Sequence, residues 1–338
     1  MATVPCPVCI SPSTDEVIRI HSLTAAAEHF IPAARSPNRN RQLMAVLRRL
    51  WSGAESVEVH RCNSCGFGFP VPYVAGDVEF YNLVSGGSPH YPSHRWEFRK
   101  TIAILEQLPN PDPIELLECG AGEGWFLEAL RASRRGDRFR ISALEYDRAA
   151  IAKLHERGFT ARAGSLTSLD ASERFDVVCM FQTLEHMDDV AGAFRALHDA
   201  LRPGGHAFIS VPNGPSVDQQ EETVHLWDMP PNHVGRWTEA AFRIVSQSHG
   251  LELHDVEVEP LNRLAEVARL SVYQVNSRAY RASTVAHRIN ALAFRPLRMV
   301  LKGTMAAAEF PIIAVRVRAL QGHSLWLHLQ RPQFAASS

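Results

Sequence analysis

The residues of this 338-residue chain that could do chemistry fall into three groups. Four of its six cysteines form two C-x-x-C pairs, Cys6/Cys9 and Cys62/Cys65. At that spacing each turn presents two thiolates to one ion, which suits tetrahedral zinc. Protein would fill all four positions, so the metal would be structural. A disulfide or redox role needs an oxidising compartment, which nothing in the sequence indicates. Cys119 and Cys179 sit singly in apolar stretches and read as buried, unreactive thiols. The second group is a glycine run, Gly120, Gly122 and Gly124, with Glu118 two positions before it. The third is histidine, whose unperturbed pKa near neutrality fits it to take a proton. Of 16 histidines the candidates are His186, His233 and then His225, in the segments that follow apolar strands. Glu185, beside His186, is expected to cap or pair.

The glycine run must be positioned by what flanks it. Residues 114–119 are apolar apart from Glu115 and Glu118, and Trp125, Phe126, Leu127 and Leu130 recur at helical spacing. This is a buried strand, a tight turn and an amphipathic helix, the opening of an α/β nucleotide fold. A dinucleotide turn has its third glycine three positions after the second; here it comes after two. A carboxylate at Glu118 would repel a pyrophosphate and suits a cationic ligand.

Further along, residues 138–146 alternate as a second strand, with Glu145 at its end, and 159–162 make a third. Residues 175–182 are near-continuously apolar, as a buried parallel strand should be. Pro203, Gly204 and Gly205 turn the chain into a fifth strand at 206–211, and 251–258 and 324–330 alternate as a sixth and seventh. Helical patterns between them predict βαβ crossovers and a parallel, doubly wound α/β sheet. Residues 1–80 read as a zinc-ribbon-like module with a helical insertion at 40–51. A helix begins behind Ser93 as its N-cap. Residues 90–332 form the main domain, with a helical, basic insertion at 261–320 and a long loop at 213–236.

Bulk composition narrows the partners. The net charge is −1, with 46% hydrophobic and 21% charged residues, which gives no global pull toward nucleic acid. The start, MATVPCPVC, lacks the basic and apolar regions of a secretory signal. The best apolar run, 310–315, is too short to span a bilayer, so a cytoplasmic location is expected. Arg295, Arg298, Lys302, Arg316 and Arg318 could meet an anionic acceptor or a membrane surface, or form a solvated face.

The E-x-G-x-G-x-G run, the strand-end acid Glu145, Gly164-Ser165-Leu166, Phe175-Asp176-Val177-Val178, Leu184-Glu185-His186 and Leu201-Arg202-Pro203-Gly204-Gly205 stand in family order. Over about residues 90–332 the chain resembles the class I S-adenosylmethionine (SAM) methyltransferases. The resemblance implies a seven-stranded Rossmann-like sheet and SAM as cofactor. It implies that Glu145, with Tyr146 beside it, binds the ribose, and that Ser165 and Leu166 meet adenine. It further implies that Glu118 helps order the methionine end and that Phe181 and Gln182 stand beside the methyl. Ser165 departs from the aspartate that many relatives carry there, which weakens that single contact. The cysteine pairs and the segment from Phe80-Tyr81 to Tyr91 are similar to zinc-ribbon-headed sugar and natural-product methyltransferases. The expected function is methyl transfer to an oxygen or carbon of a small molecule, sugar or glycan intermediate, with His186 and His233 as catalytic residues. A zinc-ribbon adaptor with a non-catalytic SAM-binding fold is the alternative.

Overall fold

The computed structural model describes residues 4–11, 14–84, 93–109, 112–220, 228–279, 284–317 and 320–333. His225 and Tyr91 lie outside them. The chain divides into two units, Met1–Gly214, Trp227–Glu259 and Ser324–Ser338 in the first, Pro215–Leu226 and Pro260–His323 in the second.

The first unit opens with β1 (Thr14–Ser22), α1 (Leu23–Phe30), α2 (Pro37–Leu50), β2 (Ser56–Cys62) and β3 (Gly68–Val71). β2 pairs antiparallel with both β1 and β3. The periodic residues of α2 (Leu43, Val46, Leu47 and Leu50) turn inward, as an apolar stripe on a basic helix must. They pack with Leu23, Trp51, Val57 and, from α3 (Val78–Val84), Phe80. The two cysteine turns flank this small sheet.

α4 (Trp96–Leu105) begins behind Arg95 instead of Ser93. Then come β4 (Ile114–Cys119), α5 (Trp125–Arg131), β5 (Phe139–Glu145), α6 (Arg148–Glu156), β6 (Thr160–Ala163), β7 (Phe175–Phe181), α7 (Val190–Ala200), β8 (Leu201–Pro212), α8 (Gly214–Gln220, which from Pro215 belongs to the second unit), α9 (Glu239–Ser248) and β9 (Glu252–Val258). β10 (Ser324–Gln330) completes a sheet of order β6-β5-β4-β7-β8-β10-β9. The chain leaves β4 toward β5 and β6, then returns to place β7 on the other side of β4. Open α/β sheets bind ligands at the carboxyl ends of the strands where order reverses in this way. Here those ends are Cys119 of β4, Glu145 of β5 and Phe181 of β7.

Two features depart from the sequence reading. The sheet is mixed, because β10 runs antiparallel to both β8 and β9. Leu325, Trp326, Leu327 and Leu329 are buried, and burial in an alternating strand reports its faces but not its direction. The residues expected as a turn, 203–205, lie within the first part of β8, whose Leu201 pairs with Phe175 before a register shift. Gly204 (φ 80°) and Gly205 exchange backbone hydrogen bonds with Arg331, so the glycines bend a strand without ending it.

In the second unit, α10 (Arg263–Ala279), α11 (Val285–Asn290) and α12 (Arg295–Val317) follow one another. Val267 and Leu270 pack against Ile313 and Val317. The buried Glu266 accepts from Arg269 and lies 3.1 Å from His323. No helix among the described residues is long and apolar enough to cross a membrane.

Candidate active site

The turn after β4 is a left-handed stretch that only glycine adopts freely: Gly120, Gly122 and Gly124 have φ of 72°, 52° and 82°. Space adds a second demand. A Cβ on Gly120 would stand 2.3 Å from Thr183 Oγ1, and one on Gly124 would stand 2.6 Å from Leu154. The turn therefore lies closely on the loop after β7 and on α6.

Carboxylates bracket this turn. Glu145 accepts from three backbone N–H groups, those of Gly122 (2.7 Å), Tyr146 (2.7 Å) and Asp147 (3.0 Å). Its oxygens thus join the first and second strand-end loops. A carboxylate has about four acceptor sites, so Oε2 keeps one beside the Gly122 bond, and a diol that donates to both oxygens shares Oε1 with the Tyr146 and Asp147 N–H groups or displaces one of them. Tyr146 itself is largely exposed and contributes its N–H. Glu118 is buried, lines a cavity with Arg95, Phe98, Gly120, Gly122 and Phe181, and leaves Oε2 without a hydrogen-bond partner. Burial, and then the charge of Glu145, raise its pKa well above the ordinary carboxylate value. A cationic group entering the cavity would satisfy that oxygen and restore its charge. The residues thus fit a ligand with a cationic end and a diol.

The other predicted contacts fall around the same turn. Phe181 packs with Phe98 and Phe126 and lines the cavity. Gln182 holds φ 54°, uncommon for a residue with a side chain and a feature that clusters at functional sites. Its N–H donates to Ser210 O at 2.8 Å. Leu166 is buried, while the Ser165 hydroxyl lies 2.8 Å from that of Thr167 in a short 3₁₀ turn. The sequence reading missed Arg95, Glu97 and Thr183. Glu97 is buried, accepts from Ser210 Oγ and pairs with Arg95, each at 3.3 Å. Its place inside an amphipathic helix was visible as one acid next to Phe98, a weak signal.

Beyond β7, His186 and His233 come together with ring centroids 4.6 Å apart. His186 Nδ1 donates to Asn232 O at 2.7 Å and lies 2.9 Å from the Tyr81 hydroxyl. Burial, then the neighbouring His233, lower its pKa to about 3, so it is neutral. His233 Nδ1 lies 2.7 Å from Asp228 Oδ1. Burial opposes its protonation, but the Asp228 hydrogen bond and charge and the Glu185 charge outweigh this and raise its pKa. Glu185 neither caps nor pairs, contrary to expectation. It is fully buried with both oxygens unpartnered, and burial raises its pKa to about 7.

The four thiols of Cys6, Cys9, Cys62 and Cys65 also converge. Cys6 Sγ is 3.6 Å from Cys65 Sγ and Cys9 Sγ is 3.5 Å from Cys62 Sγ, with no disulfide. Four sulfurs about 2.3 Å from one zinc would be about 3.8 Å apart, so a tetrathiolate fits. Val8 and Ser64 N–H groups donate to Cys6 and Cys62, and Gly66, just after the second pair, takes the left-handed conformation (φ 72°).

Strand order, glycine turn and strand-end acid are arranged as the resemblance to class I SAM methyltransferases implies. Residues 93–256 match a family model described as a methyltransferase domain. Over 173 residues the chain is 31% identical to a probable S-adenosylmethionine-dependent methyltransferase of Mycolicibacterium smegmatis, covering 49% of this chain and 63% of that protein. Over 141 residues it is 33% identical to the ubiquinone biosynthesis O-methyltransferase of Pseudomonas syringae pv. tomato, covering 36% and 59%. The chain thus spans less than two thirds of the length of these curated relatives, at 63% and 59%. A crystal structure of an S-adenosylmethionine dependent methyltransferase from Mesorhizobium loti aligns with TM-score 0.41 and 16% identity, covering 68% of this chain and 96% of that one.

Proposed function

We propose that this protein is a SAM-dependent methyltransferase acting on an oxygen or carbon of a small molecule, sugar or glycan intermediate. The observation that carries the reading is the pair of carboxyl groups at the two ends of the glycine turn, Glu118 with Oε2 unpartnered and Glu145 on the Gly122 N–H. SAM, when bound, supplies an electrophilic methyl on a sulfonium that leaves as a neutral thioether. The chain's own task is then to hold that sulfonium, exclude water and take a proton from the acceptor. Glu118 faces the cationic end, Glu145, oriented by the Tyr146 N–H, holds the ribose, and Ser165 and Leu166 border the adenine. Phe181 and Gln182 flank the methyl. His186 and His233, with the unpartnered Glu185, receive the acceptor's reacting group and its proton. The relatives named for O-transfer favour oxygen as the acceptor atom. Incubation with methyl-labelled SAM and pools of small phenols and nucleotide sugars should transfer label to one class. Label retained in SAM with every pool, by protein that binds SAM, would favour the non-catalytic alternative.

Zinc belongs to the same reading, as a structural ion held by Cys6, Cys9, Cys62 and Cys65. Thr238 Oγ1 donates to Cys65 O at 2.8 Å while capping α9, so the knuckle is tied to the main domain. The purified protein should contain one zinc per chain and no titratable native thiol. Cys62→Ser should release the ion and lower the melting temperature, because metal binding contributes directly to folding. Metal analysis that finds none, with four reactive thiols in folded protein, would remove the zinc.

A further inference from the structure

We infer that Glu185, His186 and His233 form a second metal site, which takes a divalent transition-metal ion between a buried carboxylate and two imidazoles. Each residue offers one donor atom, and the three donors lie within 4.8 Å of one another. Bonds of about 2.0–2.2 Å to such an ion place donors roughly 3–4 Å apart, so small side-chain shifts close the shell.

Three further features point to an ion. Both Glu185 oxygens are buried with no hydrogen-bond partner, an arrangement proteins rarely tolerate without something to satisfy it. Both histidines are oriented from behind, as metal-ligating histidines are. A carbonyl can only accept, so His186 Nδ1 carries its proton toward Asn232 O and leaves Nε2 with its lone pair. Asp228 likewise engages Nδ1 of His233, again leaving Nε2. The two supporting segments are also fixed to each other, since Val234 N–H donates to Glu185 O at 2.8 Å and His233 N–H to Met229 O at 3.1 Å.

Two imidazoles and one carboxylate suit zinc, cobalt or iron(II), and admit manganese, better than magnesium or calcium, which prefer oxygen alone. Three protein ligands leave positions open for an acceptor. This consequence rests on the proposed methyl transfer; metal binding does not. An acceptor with a hydroxyl beside a second oxygen would chelate the ion. The hydroxyl would release its proton to solvent, and its oxygen would form the new C–O bond as the methyl–sulfur bond breaks, with that electron pair kept by sulfur. The ion would lower the pKa of the bound hydroxyl as it lowers that of bound water.

The test uses full-length protein with its cysteine site already zinc-filled, without SAM or acceptor. Titration with Mn²⁺ by calorimetry and with Co²⁺ by visible spectroscopy should reveal one further ion per chain, with weak d–d bands and no thiolate charge-transfer band. Glu185→Gln, His186→Ala and His233→Ala should each abolish that uptake, and Asp228→Asn should weaken it by about 10–100-fold. All four variants should keep the cysteine-bound zinc, which separates a lost ligand from a lost fold. No uptake of Mn²⁺, Co²⁺ or Zn²⁺ by the wild type, or uptake that survives all three ligand variants, would overturn the site. SAM titration of the same samples keeps the two readings apart. SAM binding without a second ion defeats the metal site alone, and a second ion without SAM binding defeats the cofactor reading alone.

Discussion

His233→Ala is expected to lower methyl-transfer turnover by about 10²–10⁴-fold, the usual cost of losing the group that handles the acceptor's proton. SAM affinity should stay within error, because the contacts of this ring are with His186 and Asp228 and not with Glu118 or Glu145. The reason is geometric. Asp228 holds Nδ1 of His233 at 2.7 Å and leaves Nε2 to take a proton or to ligate an ion that ionises the hydroxyl. His186 is anchored differently, with Nδ1 on a neutral carbonyl. The sequence alone favours His186, which follows the apolar strand directly. The Asp228 bond moves the larger expected loss to His233, with a smaller one for His186→Ala. Labelled-methyl turnover of both variants checks this, and near-normal rates in both would remove histidine from the chemistry.

Glu145→Ala should weaken SAM binding by about 1–3 kcal/mol, the scale of hydrogen bonds to a charged group. Part of that loss arises inside the protein. The same carboxylate fixes the N–H groups of Gly122, Tyr146 and Asp147, so its removal also frees the turn that must cradle the cofactor. Glu145→Gln keeps acceptor capacity on one atom and should fall between the two. Calorimetric titration measures the difference, and unchanged affinity in Glu145→Ala would take this residue out of the site.

The sequence displayed what depends on local pattern. The glycine turn was legible because three left-handed positions must be glycine, and the cysteine turns because two thiolates per knuckle set their own spacing. The buried strands 114–119 and 175–182 declared themselves by apolar runs. Strand direction did not, since the alternation of β10 is the same whichever way the strand runs. Residues 203–205 read as a turn because proline and glycines usually break strands, yet the backbone bonds of Gly204 and Gly205 with Arg331 carry the strand through the bend. Long-range partners were the least visible part. Glu97 reaches Ser210, His186 reaches Asn232, and His233 comes to rest against His186, all through tertiary packing that no local window contains. Glu185 was expected to pair because its neighbours in sequence give no hint that it is sealed without a partner.

The central claim is that the turn after β4, between Glu118 and Glu145, binds SAM and not a pyrophosphate-bearing dinucleotide. Calorimetric titration of the full-length protein with SAM, and separately with NAD, tests it most directly. The account predicts one SAM bound per chain, affinity reduced in Glu145→Ala, and no heat from NAD. NAD binding at this turn, or the absence of any SAM binding by folded, zinc-loaded protein, would contradict it.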